Sequence, residues 1–155
     1  MSRAFVKEPD GLEAFDELPE RLVSSHPNLV TEAGLAAIEN EVARLSRAYA
    51  DAQASGDRAA LNGVARDLRY WNARRSTAEL VPVAANATEV RFGSRVTIAR
   101  GDGRRQTYRI VGEDEANPAA GTLSYVSPLA RALMGKSRGD VFVMGPGEIE
   151  ILELA

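Results

Sequence analysis

The chain has 155 residues, 45% hydrophobic and 26% charged, which suits one medium domain or a small domain with an appendage. A formal charge of −3 and a pI near 5.3 argue against nucleic-acid binding by bulk positive charge, and the lack of cysteine removes disulfides, thiolate catalysis and cysteine metal sites. No basic start leads into an apolar run and no span of about 20 apolar residues occurs, so the chain is read as cytoplasmic, with no membrane contact.

Residues 1–28 hold 3 basic and 6 acidic side chains and the whole charge excess, because the segments 29–80 and 81–155 balance. Three prolines and aperiodic apolar residues make this segment an acidic, mobile N-terminal arm, with Phe15 and Leu18 as the alternative of a short docking segment. The single histidine, His26, precedes Pro27 without a second ligand in suitable spacing and is read as structural or solvent-exposed.

The segment 29–80 organises the chain. Leu35, Ile38, Val42, Leu45 and Tyr49 recur at steps of three and four, a narrow apolar seam on one helix. Leu61, Val64, Leu68, Trp71 and Ala78, interrupted by Arg75, repeat the pattern. Reversal at Ala54-Ser55-Gly56-Asp57 closes the seams into an antiparallel coiled-coil hairpin. Thr31 is the expected cap of the first helix, Gly56 its left-handed end, and Asp57 the cap of the second. Gly63 is a weak point, costing about 1 kcal/mol relative to alanine unless something packs on it. Two arms of about 22 residues give a rod roughly 33 Å long at about 1.5 Å per residue. Its outward faces carry Glu39, Glu41, Arg44, Arg47, Arg66, Asp67, Arg69 and Arg74, which places these in solvent.

The boundary falls between 80 and 89, and the second unit is 89–155. Val96 and Ile98 alternate with polar residues, Gly101-Asp102-Gly103 turns the chain, and Tyr108 and Ile110 alternate on the return. A third strand is expected over 122–126. A short helix follows, capped by Ser127, opened by Pro128 and ended by Gly135, and two strands flank Gly145-Pro146-Gly147. The predicted class is α+β: a helical hairpin followed by a small antiparallel β domain with one short helix.

The run Tyr108-Arg109-Ile110-Val111-Gly112-Glu113-Asp114-Glu115-Ala116, then Ser127-Pro128-Leu129-Ala130-Arg131-Ala132-Leu133-Met134-Gly135-Lys136 and the Gly139-Asp140 turn, resembles the bacterial GreA/GreB transcription elongation factors. The likeness runs from residue 29 to the C-terminus, and residues 2–8 resemble the leader of a subgroup of Gre-like proteins. The resemblance implies an FKBP-like C-terminal domain that docks on RNA polymerase beside its secondary channel, with the turn at Ser127, Pro128 and Leu129 as the contact. It implies a coiled coil that enters the channel and presents an Asp and a Glu, which help hold a second Mg2+ at the polymerase active site so that backtracked RNA is cut. The protein would then be a monomeric co-factor of the polymerase's chemistry, not an enzyme, with no cofactor of its own and only indirect contact with nucleic acid.

The tip departs from the family pattern Gly-Asp-x-x-Glu-Asn, reading Gly56-Asp57-Arg58-Ala59-Ala60-Leu61. Asp57 matches, Ala60 replaces the Glu and Leu61 the Asn, and both arms look short. Asp57 is therefore either a bare helix cap or a metal-binding acid, and Asp51 is the one nearby acid that could substitute. The expected function is modulation of elongation with weak or no stimulation of cleavage, by a divergent member with a shortened coiled coil. Two alternatives belong to other classes. One is an adaptor binding another coiled coil through Trp71 and the Arg-rich second arm. The other is an FKBP-like prolyl isomerase, for which the C-terminal region offers Phe92, Tyr108, Tyr125 and Phe142.

Overall fold

The computed structural model describes residues 18–155. Phe15, the 2–8 leader and the rest of the first 17 residues lie outside the described residues. The element order is β1 (Leu29–Val30), α1 (Glu32–Ser55), α2 (Arg58–Thr77), β2 (Glu79–Leu80), β3 (Arg95–Arg100), β4 (Arg105–Val111), β5 (Thr122–Ser124), α3 (Pro128–Leu133), β6 (Val141–Met144) and β7 (Gly147–Leu154).

The two arms are 24 and 20 residues long and pack along their seams. Ile38, Val42, Leu45 and Ala52 are buried on α1, and Leu61, Val64, Leu68 and Trp71 of α2 are half-buried against it. Thr31 caps α1, its hydroxyl accepting from the Gly34 N–H at 3.0 Å. Ala78 lies just past α2, and Arg75 is exposed where it interrupts the seam.

The base of the finger is closed by a feature the apolar pattern does not announce. β1 and β2 pair in parallel, Leu29 beside Glu79 and Val30 beside Leu80, so the chain entering α1 and the chain leaving α2 are tied together. Two-residue strands are too short to show a period.

The body is a five-stranded sheet in the order β5-β4-β3-β7-β6. Three pairings are antiparallel, as predicted. β5 runs parallel to β4, a correction to the all-antiparallel expectation. The connection between them contains 3-10 turns at Glu113–Glu115 and Pro118–Ala120, which carry the chain back to the end where β4 began. α3 covers one face of the sheet. There Ala130 and Leu133 join Val90, Val96, Ile98, Ile110, Leu123, Ile149 and Ile151 in one core. At the β6–β7 reversal Gly145 has φ 62, the left-handed value that a tight hairpin turn asks of glycine at its first central position.

Candidate functional site

The finger's tip is built by the end of one helix and the start of the next. Gly56, at φ 70, ends α1, and the Asp57 N–H donates back to the Ala52 carbonyl at 3.2 Å. Asp57 Oδ1 then accepts from the Ala60 N–H at 3.1 Å, satisfying one of the free donors that begin α2. The carboxylate is exposed, as is Ala60, and Leu61 is half-buried toward α1. Asp51 is also exposed, on the penultimate turn of α1.

A hard cation such as Mg2+ takes about six oxygens. The turn offers one carboxylate, one of whose oxygens already caps α2, while Ala60 and Leu61 add no oxygen donor. The tip residues therefore do not fit a magnesium ion by themselves. Among the described residues, no group of three or more His, Asp or Glu is placed to hold a metal.

The second candidate, Ser127-Pro128-Leu129, divides into three roles. Ser127 Oγ accepts from the Ala130 N–H at 3.3 Å and caps α3. Pro128 is exposed, and half-buried Leu129 packs on the β core. The Leu129 side chain is turned to the core, and Pro128 is the outward apolar surface of the turn.

The junction of finger and body contains residues that periodicity misplaces. Arg74, predicted on a solvent face, is 1% exposed and is the buried residue of α2. Its Nε donates to Asp114 Oδ2 at 2.5 Å, and its Nη2 lies 3.7 Å from Glu113 Oε2. The Tyr70 hydroxyl donates to Asp114 Oδ1 at 2.5 Å. Glu115 holds the other helix. Its carboxylate accepts from the N–H groups of Gly112 and Thr31, both at 3.1 Å, and from the Thr31 hydroxyl. It lies so close to α1 that a Cβ on Gly34 would stand 2.0 Å from its Cδ. One turn of three acids thus grips both finger helices. A signal was present in the sequence, since three consecutive acids opposite an arginine-rich helix ask for a cationic partner.

Burial pushes the Tyr70 phenol up to about 12, helped by its hydrogen bond to Asp114 and by that carboxylate's charge. Tyr125 is raised too, first by burial and then by the charge of Glu113. Trp71 packs edge-on against Tyr70 at 5.2 Å and borders a shallow hollow beside Ile38 and Glu115. Phe92 meets Tyr125 edge-on at 5.7 Å, and Tyr108, Tyr125 and Phe142 pack against the core. These aromatic rings are engaged in internal packing. No helix among the described residues is long and apolar enough to cross a membrane.

The molecule is a finger on a body, an architecture that presents a tip at a distance from the surface anchoring it. A family model described as "Transcription elongation factor, GreA/GreB, C-term" matches residues 85–154. The chain is 37% identical to the transcription elongation factor GreA of Legionella pneumophila (strain Corby), with 85% of this chain and 97% of the relative covered. It is 34% identical to GreB of Neisseria meningitidis serogroup A, with 82% and 93% covered. A solved GreA/GreB factor from Nitrosomonas europaea is 20% identical with a TM-score of 0.40, covering 81% of this chain and 97% of that one, too distant to bear on the arrangement described above. The chain belongs to the GreA/GreB family of transcription elongation factors.

The Legionella alignment spans 157 positions yet takes in 85% of this chain's 155 residues, so the relative carries sequence that this chain lacks.

Proposed function

We propose that this protein is an RNA polymerase-binding elongation factor that docks beside the secondary channel and occupies it, with little or no stimulation of transcript cleavage. Its partner is the polymerase, which relatives named as transcription elongation factors support. The body supplies the docking surface at Ser127, Pro128 and Leu129, with Pro128 outermost. The finger enters as a monomer's single projection.

The observation that carries the reading is the tip, where Asp57 caps α2 and Ala60 stands in place of a second acid. Any Mg2+ at the polymerase active site would receive one carboxylate from the turn at 56–61, short in both ligands and compensating charge. Reach compounds the deficit. A shortfall of about two dozen positions against the Legionella factor, if it falls equally on the two arms, withdraws the tip by roughly 18 Å at about 1.5 Å per residue.

The test is a purified polymerase stalled in a backtracked state. The expected result is little RNA shortening with this protein alone, and progressively less shortening by an added cleavage factor as this protein is titrated in. Rapid shortening that disappears in Asp57→Ala would overturn the reading.

A further inference from the structure

Residues 18–28 lie along α2 and reach the body, and their contacts converge on the buried junction. The Arg21 guanidinium stacks 3.9 Å from the Tyr70 ring centroid, lies 5.7 Å from that of Trp71, and stands 3.6 Å from Asp67. Beneath it the Tyr70 hydroxyl is anchored on Asp114, the acid that also receives Arg74. Three residues on, Ser24 Oγ donates to Glu113 at 2.9 Å. The Pro27 carbonyl accepts from the Tyr125 hydroxyl, and Asn28 Nδ2 donates to the Arg74 carbonyl at 2.7 Å.

We propose that residues 18–28 are a strap that fixes the angle of the finger on the body, with Arg21 and Ser24 as its positioning residues. Among the described residues, the side-chain bonds named above that join the helices to the body go to the acidic turn Glu113–Glu115, and the chain crosses at the two-residue β1–β2 clip and the linker after it. A grip at one turn resists separation far better than rotation about that turn. The strap returns to that turn through Ser24 on Glu113, and it adds an attachment away from it where the Pro27 carbonyl accepts from the Tyr125 hydroxyl. Arg21 clasps the flank of α2, Ser24 seizes the body, and the three residues from one to the other are too few to stretch if the finger swings. Glu20, further out, pairs with Arg69 at 2.5 Å, but both side chains are more than half exposed, so that pair contributes little to the hold. The inference concerns the free protein and needs no polymerase contact, so it stands or falls separately from the proposed function.

The chain has no cysteine, so two introduced cysteines label it uniquely. Ala59→Cys near the tip and Arg138→Cys on the body are exposed sites for spin labels, and pulsed electron-electron resonance reads the distribution of distances between them. The full chain should give one narrow population. Arg21→Ala with Ser24→Ala should at least double its width, while a second pair, Ala36→Cys with Ala59→Cys, stays narrow and shows that the hairpin itself is intact. Glu20→Gln should leave both pairs unchanged. An unchanged tip-to-body distribution in the double variant overturns the strap, and so does equal broadening in both pairs, which would mean helix melting. Broadening by Glu20→Gln as large as that of the double variant would also overturn the assignment of Arg21 and Ser24.

Discussion

Arg74 Nε and Asp114 Oδ2 lie 2.5 Å apart, a charge-assisted bond that joins the last turns of α2 to the acidic turn of the body with Arg74 1% exposed. Removing one member of such a pair leaves the other charge in a place water cannot reach. Glu113, at 3.7 Å, compensates only partly. Asp114→Ala should therefore cost about 3 kcal/mol, because it strands a buried cation and removes the acceptor of Tyr70. Urea unfolding measures this. A loss below about 1 kcal/mol would mean that Glu113 alone neutralises Arg74.

The same cluster makes an alkaline prediction. Tyr70 titrates near 12 in the fold, against an ordinary phenol value of 10.0, so the fold favours its neutral form. That contribution to stability is fully present below pH 10 and is lost as pH rises through about 12. In an absorbance titration of the four tyrosinates, Tyr70→Phe should remove a late step; removal of an early step would place Tyr70 in solvent.

Gly63 sits inside α2, where a Cβ would meet only Leu18 Cδ1, at 4.0 Å. A methyl group therefore fits without displacement. Gly63→Ala should stabilise the finger by about 0.5–1 kcal/mol through helix propensity and reduced freedom of the unfolded chain. Thermal unfolding that moves to lower temperature would show that the strap packs tighter over this turn than the 4.0 Å contact implies.

The proposed polymerase contact is testable at Pro128 without damage to the core. Pro128 is exposed at the first position of α3, where an acid is tolerated and the helix dipole favours it. Pro128→Asp should leave the circular dichroism and unfolding midpoint unchanged while weakening polymerase pull-down at least tenfold. Leu129→Asp should instead unfold the body, because Leu129 packs on its core. Undiminished pull-down by Pro128→Asp would remove this turn from the interface.

The finger was legible because its signals are local. A seam at steps of three and four, Thr31 and Asp57 as caps and a left-handed Gly56 each depend on residues within one or two turns, and the helix ends fall where those residues stand. Arg74 was not legible, since helical spacing places it off the seam and a charge off the seam is ordinarily solvated. Its burial comes from a turn 40 residues further along the chain. The direction of β5 was hidden for a related reason: adjacency in sequence favours an antiparallel return, and the 3-10 turns that reverse this carry no periodic pattern. Residues 18–28 show no period either, and what holds them is side chains on α2 and the acidic turn, supplied by other parts of the chain.

The two deficits proposed for the tip, charge and reach, can be separated by restoring one of them. Ala60→Glu with Leu61→Asn recreates the acid and amide of the family pattern behind Asp57. Asp57 would still cap α2, and the new Glu would lie three residues on, near it on the first turn. Ala60 is exposed, so the Glu needs no desolvation; Leu61 is half-buried, so its loss weakens the seam beside the turn by about 1–2 kcal/mol. If reach is the larger deficit, the double variant should cleave backtracked RNA no faster than the parent chain, because a retreat of roughly 18 Å exceeds what any side chain spans. Lengthening both arms by matched heptads, which keeps the seam in register, should then restore cleavage only in combination with the new acid. Fast cleavage by the double variant in the short finger would show that reach is sufficient and that Ala60 and Leu61 together silence the tip.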